Sequence, residues 1–388
     1  MGDAAIDGDN ALIDGNRLRL MTEGPERLAA LIDLIDGAEH SLRLLYYSFA
    51  PDHAGLRVRD ALMAAAVRGV DVSLLVDGFG SAEACDRRFF APLTELGGRF
   101  CCFIPRFGRR YLLRNHQKMA LADDRRVLIG GFNIADDYFL SPGEGGWRDL
   151  GLLLDGAAAT PLAVYFDRLL EWSQHPHPRL RALRRALKGW QPRHGRVHWL
   201  LGGPTRRLNP WARAVKRELQ HAHRLDLGTA YFAPNPAVLR RVERIGRRGA
   251  ARVMTAAQSD NTTTIGAARF CYAGLLRRGV RVFEYQPGKL HTKLMIVEDR
   301  AHIGSANFDI RSLYLNMEIM LAVKDAGFAD RMRAYFDGEL AQCREWTLAD
   351  VTGWRTLLLR MRWALCYFIV AVLDYNITSR LNFDVDGS

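Results

Sequence analysis

The sequence predicts an α/β protein built from two homologous domains that face one another, and two observations carry that prediction. One stretch occurs twice: Asn115-His116-Gln117-Lys118-Met119-Ala120-Leu121-Ala122-Asp123 trailed by Gly130-Gly131-Phe132-Asn133, and Leu290-His291-Thr292-Lys293-Leu294-Met295-Ile296-Val297-Glu298 trailed by Gly304-Ser305-Ala306-Asn307. Ahead of each copy, short apolar runs alternate with longer runs at helical spacing, the pattern of an α/β domain.

Taken in order, Pro25 to Ile35 reads as a helix, with Pro at its start, Leu28, Leu31, Ile32 and Ile35 on one face, and Gly37 as a stop. Leu42 to Tyr47 is a strand, Leu56 to Val67 a helix closed by Gly69, and Val72 to Val76 the next strand. The second half retraces this course. Phe232-Ala233-Pro234 echoes Phe49-Ala50-Pro51, Arg248-Gly249 echoes Arg68-Gly69, and Tyr335-Phe336-Asp337 echoes Tyr165-Phe166-Asp167.

In each repeated stretch His and Lys stand two apart at the head of an apolar run, and residues two apart in a strand point to one face. One imidazole and one ammonium therefore project together. A turn after the next apolar run brings the glycines and the asparagine beside them, so each copy supplies half of an anion site.

The pattern H-x-K-x4-D with a trailing G-G/S-x-N, present twice, resembles the phospholipase D superfamily. Asn133-Ile134-Ala135-Asp136-Asp137-Tyr138 with Gly146-Trp147-Arg148-Asp149, and Asn307-Phe308-Asp309-Ile310-Arg311-Ser312 with Leu315-Asn316-Met317-Glu318, look like bacterial cardiolipin synthases. The second copy departs from the pattern, carrying Glu298 where the family has Asp. The resemblance implies two phospholipase D-like domains, each a mixed sheet flanked by helices, with the active site at their interface. It divides the chain into residues 1–174 and 199–350 as the two domains, 175–198 as a basic linker, and 351–388 as an apolar and basic segment that associates with membrane.

Composition sets outer bounds. At 388 residues and 48% hydrophobic, the chain suffices for one large core or for two of about 190 residues each, and two fit the repeat. The net charge of +11 comes mostly from arginine, the better bidentate partner for phosphate oxygens. Anionic lipid, nucleic acid and solubility all fit that excess. Six cysteines without a C-x-x-C spacing, Cys85, Cys101, Cys102, Cys271, Cys343 and Cys366, read as reduced thiols in a cytosolic setting. Met1 to Leu12 is acidic and lacks the apolar run of a signal peptide. His175, His177, His194 and His198 lack zinc-ligand spacing.

Two segments bear on partners. From Trp172 to Arg217 there is no Asp or Glu among many arginines, which suits anionic headgroups, a solvated helix face or a nucleic-acid patch. Near the C-terminus the uncharged run Trp363 to Leu373 is roughly 16 Å long as a helix, too short for a hydrocarbon core of about 30 Å. With Arg355, Arg360 and Arg362 beside it, the segment either lies in the membrane interface or packs as a buried terminal helix.

Phosphodiester transfer needs a nucleophile and an acid for the leaving alcohol, and two histidines suffice. One imidazole attacks phosphorus to give a phosphohistidine while the other protonates the departing oxygen. Lys118, Lys293, Asn133 and Asn307 are expected around the non-bridging oxygens, with no metal and no cofactor. By resemblance, His116 is the nucleophile and His291 the general acid. Asp149 and Glu318 orient them, each serving the histidine of its own copy. Asp123 and Glu298, at the far ends of the motif strands, are expected to be structural. Tyr138 and Arg148 fit either packing or substrate contact.

The reaction so implied is formation of cardiolipin from phosphatidylglycerol and a second phospholipid by a peripheral enzyme on the cytoplasmic face of the cell membrane. The alternative is a phosphodiesterase of the same superfamily that hydrolyses phospholipid or, with less support, nucleic acid. Superfamily nucleases generally carry one motif per chain and dimerise, so the two motifs here disfavour a nucleic-acid partner.

Overall fold

Each half of the chain folds into a nine-stranded sheet in the computed structural model, which describes residues 6–7, 10–86, 88–104, 113–176, 178–190, 192–205 and 208–373. The first half contributes β1 (Ile6–Asp7), β2 (Asn10–Ile13), β3 (Asn16–Met21), β4 (Ser41–Tyr46), β5 (Asp71–Asp77), β6 (Arg99–Phe103), β7 (Met119–Ala122), β8 (Arg126–Gly130) and β9 (Gly151–Asp155). The second contributes β10 (Arg193–His194), β11 (Val197–Gly202), β12 (Arg224–Thr229), β13 (Phe232–Ala233), β14 (Ala250–Gln258), β15 (Arg281–Lys289), β16 (Lys293–Val297), β17 (Arg300–Gly304), β18 (Phe308–Asp309), β19 (Glu318–Lys324) and β20 (Cys343–Trp346). In space the order β3-β9-β8-β7-β4-β5-β6 matches β11-β19-β17-β16-β12-β14-β15 strand for strand, while β13 and β18 pair apart from the main sheet. Both sheets are mixed: β4-β5-β6 and β12-β14-β15 are parallel, and the remaining neighbours antiparallel.

Local sequence explains the element ends. The helix after β4 spans His53–Val67, starting earlier than apolar spacing indicates because the Asp52 carboxylate caps it, accepting from Gly55 N at 2.9 Å. Gly69, at φ +90°, turns the chain out of that helix into β5. The first helix covers Gly24–Asp36, in accord with its proline start.

Alternation along the strands divides the apolar side chains among three cores. On β7, Ala120 and Ala122 face the outer helices of the first half, whereas Met119 and Leu121 face the second half. There they join Leu294 and Ile296 of β16, Phe166 of the helix Pro161–Gln174 and Phe336 of the helix Ala326–Leu340 in one cluster drawn from both halves. A continuous apolar core between the sheets fixes the halves against each other, and the site lies at that junction.

In the stretch 175–198 the described residues include a helix, the strand β10 and the start of β11. The helix Leu180–Gly189 buries Leu180, Leu183 and Leu187 in the shared core, and β10 and the start of β11 already belong to the second sheet. Its basic residues follow from a helix with one apolar face. His194 and His198 bond through Nε2 to the backbone carbonyls of Asp14 and Gly195, and His177 lies outside the described residues.

The cysteines correct the sequence reading. Cys85 and Cys102 are joined in a disulfide that ties the short helix Ala82–Asp86 to β6, while Cys101, Cys271, Cys343 and Cys366 remain thiols. The pair is 17 residues apart in sequence and meets because the helix packs beside the sheet edge.

The C-terminal helix Leu357–Tyr367 and its continuation Phe368–Leu373 combine both readings of that segment. Trp363 is buried against Trp346, and Tyr367 OH donates to Pro234 O at 2.8 Å. On the other face Leu358 is 78% exposed and Leu365 59% exposed. Among the described residues no helix is long and apolar enough to cross a membrane.

Candidate active site

His116-Gln117-Lys118 and His291-Thr292-Lys293 lie where the chain enters β7 and β16, and each stretch pairs with backbone of the opposite half. His116 N donates to Met317 O at 2.9 Å and Met317 N to Arg114 O at 3.0 Å; His291 N donates to Arg148 O at 2.7 Å and Arg148 N to Lys289 O at 2.9 Å. The middle residue of each stretch bonds across the junction too, Gln117 Nε2 to Glu318 O and Thr292 Oγ1 to Arg148 O. This reciprocal pairing places both histidines on one cleft of about 590 Å³, with Asn133 and Asn307 in its lining.

The same pairing corrects the expected carboxylate partners. His116 Nδ1 meets Glu318 at 3.0 and 3.1 Å, and His291 Nδ1 meets Asp149 Oδ2 at 2.7 Å, so each imidazole is oriented by the other half of the chain. The reason is local: Asp149 follows Arg148, whose backbone is bonded beside His291, and Glu318 follows Met317, bonded beside His116. With Nδ1 engaged, Nε2 of each ring is the nitrogen left for substrate.

The two pairs differ electrostatically. Burial pushes Asp149 up, but Lys293, His291 and Arg27 together outweigh it and hold it below the ordinary carboxylate range. Burial dominates at Glu318 and raises it to about 8, against the pull of Lys118 and Ser305. Both imidazoles are driven down by burial and by the neighbouring lysines, His291 to about 3, where Asp149 opposes the shift. A bound phosphodiester brings negative charge that raises both. His291, backed by the ionised carboxylate, is the ring better supported in its protonated form.

Lys118 and Lys293 are buried, and burial lowers them to about 7 and about 8. Their ammonium groups donate to the carbonyl oxygens of His116 and His291, and Lys293 Nζ also lies 2.8 Å from His291 Nδ1. Asn133 is tied at both ends, accepting from Ser48 N and donating to Tyr138 OH, whereas Asn307 Oδ1 is buried without a partner. Aromatic edges frame the imidazoles: Tyr47 lies 5.1 Å from His116, and Tyr138 and Trp147 lie 5.1 and 5.3 Å from His291.

Gly131 and Ser305 mark another asymmetry. A Cβ at Gly131 would come within 2.5 Å of Asp149 Oδ1 and 2.7 Å of Lys293 Cδ, so only glycine leaves room for that carboxylate. The Ser305 hydroxyl instead donates to Glu318.

Asp123 and Glu298 sit away from the cleft. Asp123 accepts from the backbone N–H groups of Glu39, His40 and Ser41 where β4 begins, and Glu298 from those of His223 and Arg224 where β12 begins. A longer side chain serves the same backbone cap in the second copy. Arg148 binds Glu339 and Glu23 as a tie between the halves, while Tyr138 lines the cleft.

Two residues that hold the site carry no motif signature. Buried Arg27 donates to the carbonyls of Asp149, Tyr138, Trp147 and Thr22, fixing the loop that presents Asp149. Asp77 accepts from Asn115 N at 2.7 Å and anchors the approach to His116.

A family described as cardiolipin synthase, phospholipase D-like domain, matches residues 31–170 and 215–340, one match for each half. The chain belongs to that family. Similar members include the major cardiolipin synthase ClsA of Bacillus subtilis, 29% identical over 348 residues that cover 87% of this chain and 71% of that one. Cardiolipin synthase A of Pseudomonas aeruginosa is 30% identical over 351 residues, covering 88% and 70%. Among solved structures, phosphatidylserine synthase from Haemophilus influenzae superposes with a TM-score of 0.73 at 15% identity, covering 93% of this chain and 95% of that one. Polyphosphate kinase from Porphyromonas gingivalis gives 0.58 at 15% identity, over 87% and 49%. At that identity the likeness is one of fold. It shows that the fold is shared through nearly the whole chain.

Proposed function

We propose that this protein is a phosphatidyltransferase that forms cardiolipin from phosphatidylglycerol and a second phospholipid through a phosphohistidine. The observation that carries the reading is the pair of imidazoles on one cleft, each with Nδ1 held by a carboxylate of the opposite half. His116 Nε2 attacks phosphorus as the bond to the leaving glycerol oxygen breaks, and His291 gives that oxygen its proton. A hydroxyl of the second lipid then loses its proton to the now neutral His291 and attacks phosphorus, and the phosphorus–nitrogen bond breaks. Burial of Lys118 and Lys293 strengthens their attraction for the phosphoryl group. The names of the relatives support cardiolipin as the product.

Membrane binding is part of the same proposal. The exposed apolar face of the C-terminal helix carries Arg360 and Arg362, and its continuation reaches the cleft, where Ile369 and Val370 form part of the lining. A lipid surface beside the cleft mouth would deliver substrate without full desolvation of its acyl chains. The Cys85–Cys102 disulfide withdraws the thiol argument for the cytoplasmic face.

The test is product analysis with purified protein and phosphatidylglycerol vesicles in EDTA, with and without phosphatidylethanolamine. Cardiolipin and free glycerol are expected, because two histidines suffice for both steps. Phosphatidic acid as the sole lipid product would overturn the transferase reading.

A further inference from the structure

The catalytic pairs are related by a near two-fold arrangement, but the walls above them are not. Past the end of β5, the wall on the His116 side holds Phe79, with the Arg114 guanidinium 4.1 Å over its ring. Past the end of β14, the corresponding place holds Ser259 and Asp260. Asp260 Oδ1 accepts from Tyr231 OH at 2.7 Å and from Ser259 Oγ at 2.8 Å. Both bonds fall on one oxygen. No side chain among the described residues bonds Oδ2, so the exposed carboxylate is held in place with accepting capacity open to the cleft.

Three further observations direct that open oxygen toward a ligand. Asp260 and Tyr231 line the same cleft as the two histidines. The Tyr231 carbonyl accepts from Phe308 N of β18, whose strand follows directly from Asn307, and Asp260 is tied to Tyr231, which sets it on the second-half wall of the cleft. Asn307 Oδ1, in the same lining, is buried and unbonded, whereas its counterpart Asn133 is satisfied at both ends. A buried acceptor without a donor is costly, so a ligand that brings donors to this wall is favoured.

We propose that Asp260, fixed by Tyr231 and Ser259, is the docking group for a polyol acceptor. A hydroxyl next to the reacting one donates to Oδ2 and thereby sets the attacking oxygen against His291. The inference rests on the phosphatidyl-transfer reading. In the transfer step the reacting hydroxyl gives its proton to His291 as its oxygen bonds to phosphorus and the bond from phosphorus to His116 breaks; the second hydroxyl only donates a hydrogen bond. A glycerol headgroup supplies both hydroxyls and a simple alcohol supplies one.

The experiment is acceptor competition. Phosphatidylglycerol vesicles are incubated with enzyme and equal concentrations of isotope-labelled glycerol, 1-propanol and ethanolamine, and the ratio of labelled phosphatidylglycerol to phosphatidylpropanol is read by mass spectrometry. The wild type should prefer glycerol. Asp260→Ala should lower that ratio by about tenfold or more, as expected for loss of a hydrogen bond to a charged group. Asp260→Asn, which keeps an accepting oxygen, should fall between, and Tyr231→Phe should lower the ratio less than Asp260→Ala. A ratio unchanged within about twofold in the Asp260 variants overturns the proposal. A wild-type preference for ethanolamine that collapses in Asp260→Ala overturns it in favour of an ammonium site. Headgroup release without any alcohol transfer product in the wild type removes the transfer reading, and this inference with it.

Discussion

Replacing Asp149 by Asn tests the crossed pairing of carboxylates and histidines. The change keeps the size of the side chain and removes a buried charge whose Oδ2 lies 2.7 Å from His291 Nδ1. With the two charge centres about 4 Å apart and an effective dielectric of about 20, the lost attraction for a protonated imidazole is about 4 kcal/mol. At about 1.4 kcal/mol per tenfold, that is close to three orders of magnitude in any step that uses His291 as proton donor. A phospholipid, with a poor leaving alcohol, needs that proton; a p-nitrophenyl phosphodiester does not. Asp149→Asn should therefore lose about a thousandfold on phospholipid while keeping a rapid first burst of nitrophenol, the behaviour also expected of His291→Ala. Glu318→Ala, which leaves His116 Nδ1 without its partner, should slow the burst itself. Loss of the burst in Asp149→Asn with its retention in Glu318→Ala would mean that each carboxylate serves the histidine of its own half, and the reasoning would fail.

Gly131→Ala should retain the fold by circular dichroism and lose on the order of a hundredfold in turnover, because its Cβ displaces Asp149 or Lys293; activity within a fewfold of wild type would contradict the packing. Glu318 is raised in the folded protein from an ordinary 4.5 to about 8, so its contribution to stability is present below about pH 4.5 and is lost as pH rises through about 8. Urea midpoints for Glu318→Gln should accordingly gain on wild type between pH 5 and pH 8, and parallel curves would reject the assignment. Leu358→Asp with Leu365→Asp should weaken sedimentation with anionic vesicles by about tenfold or more, since each side chain contributes roughly 1.5 kcal/mol on burial; binding by the double variant equal to wild type would place the membrane surface elsewhere.

Much of this architecture was legible because the chain repeats itself. Two copies of His-x-Lys with matching downstream glycines and asparagines required two equivalent domains, and strands alternating with helices set their class. The positions of Asp123 and Glu298 at the far ends of motif strands marked them as structural, and both cap backbone N–H groups there. The crossed carboxylates were not legible, since a repeat offers Asp149 and Glu318 equally to either histidine. Only backbone pairing between Arg148 and Leu290, and between Met317 and Asn115, decides which ring each one meets. The Cys85–Cys102 bond likewise depends on how a short helix lies against β6. Arg27 carried no signal because its role is to bond four backbone carbonyls, and a side chain on a helix gives no sequence mark of distant carbonyls. In the basic stretch the run of arginines drew the reading toward a linker, while Leu180, Leu183 and Leu187, at helical spacing between them, are buried in the shared core.

In the proposed mechanism phosphorus is held covalently on His116 while His291 moves the proton. This assignment is tested most directly by quenching His291→Ala with a p-nitrophenyl phosphodiester under conditions that preserve phosphohistidine, then mapping the modified peptide by mass spectrometry. One phosphoryl group, still carrying its second ester substituent, is expected on the peptide containing His116, with no modification in His116→Ala. Modification of His291 in the His116→Ala protein, with none in His291→Ala, would contradict it.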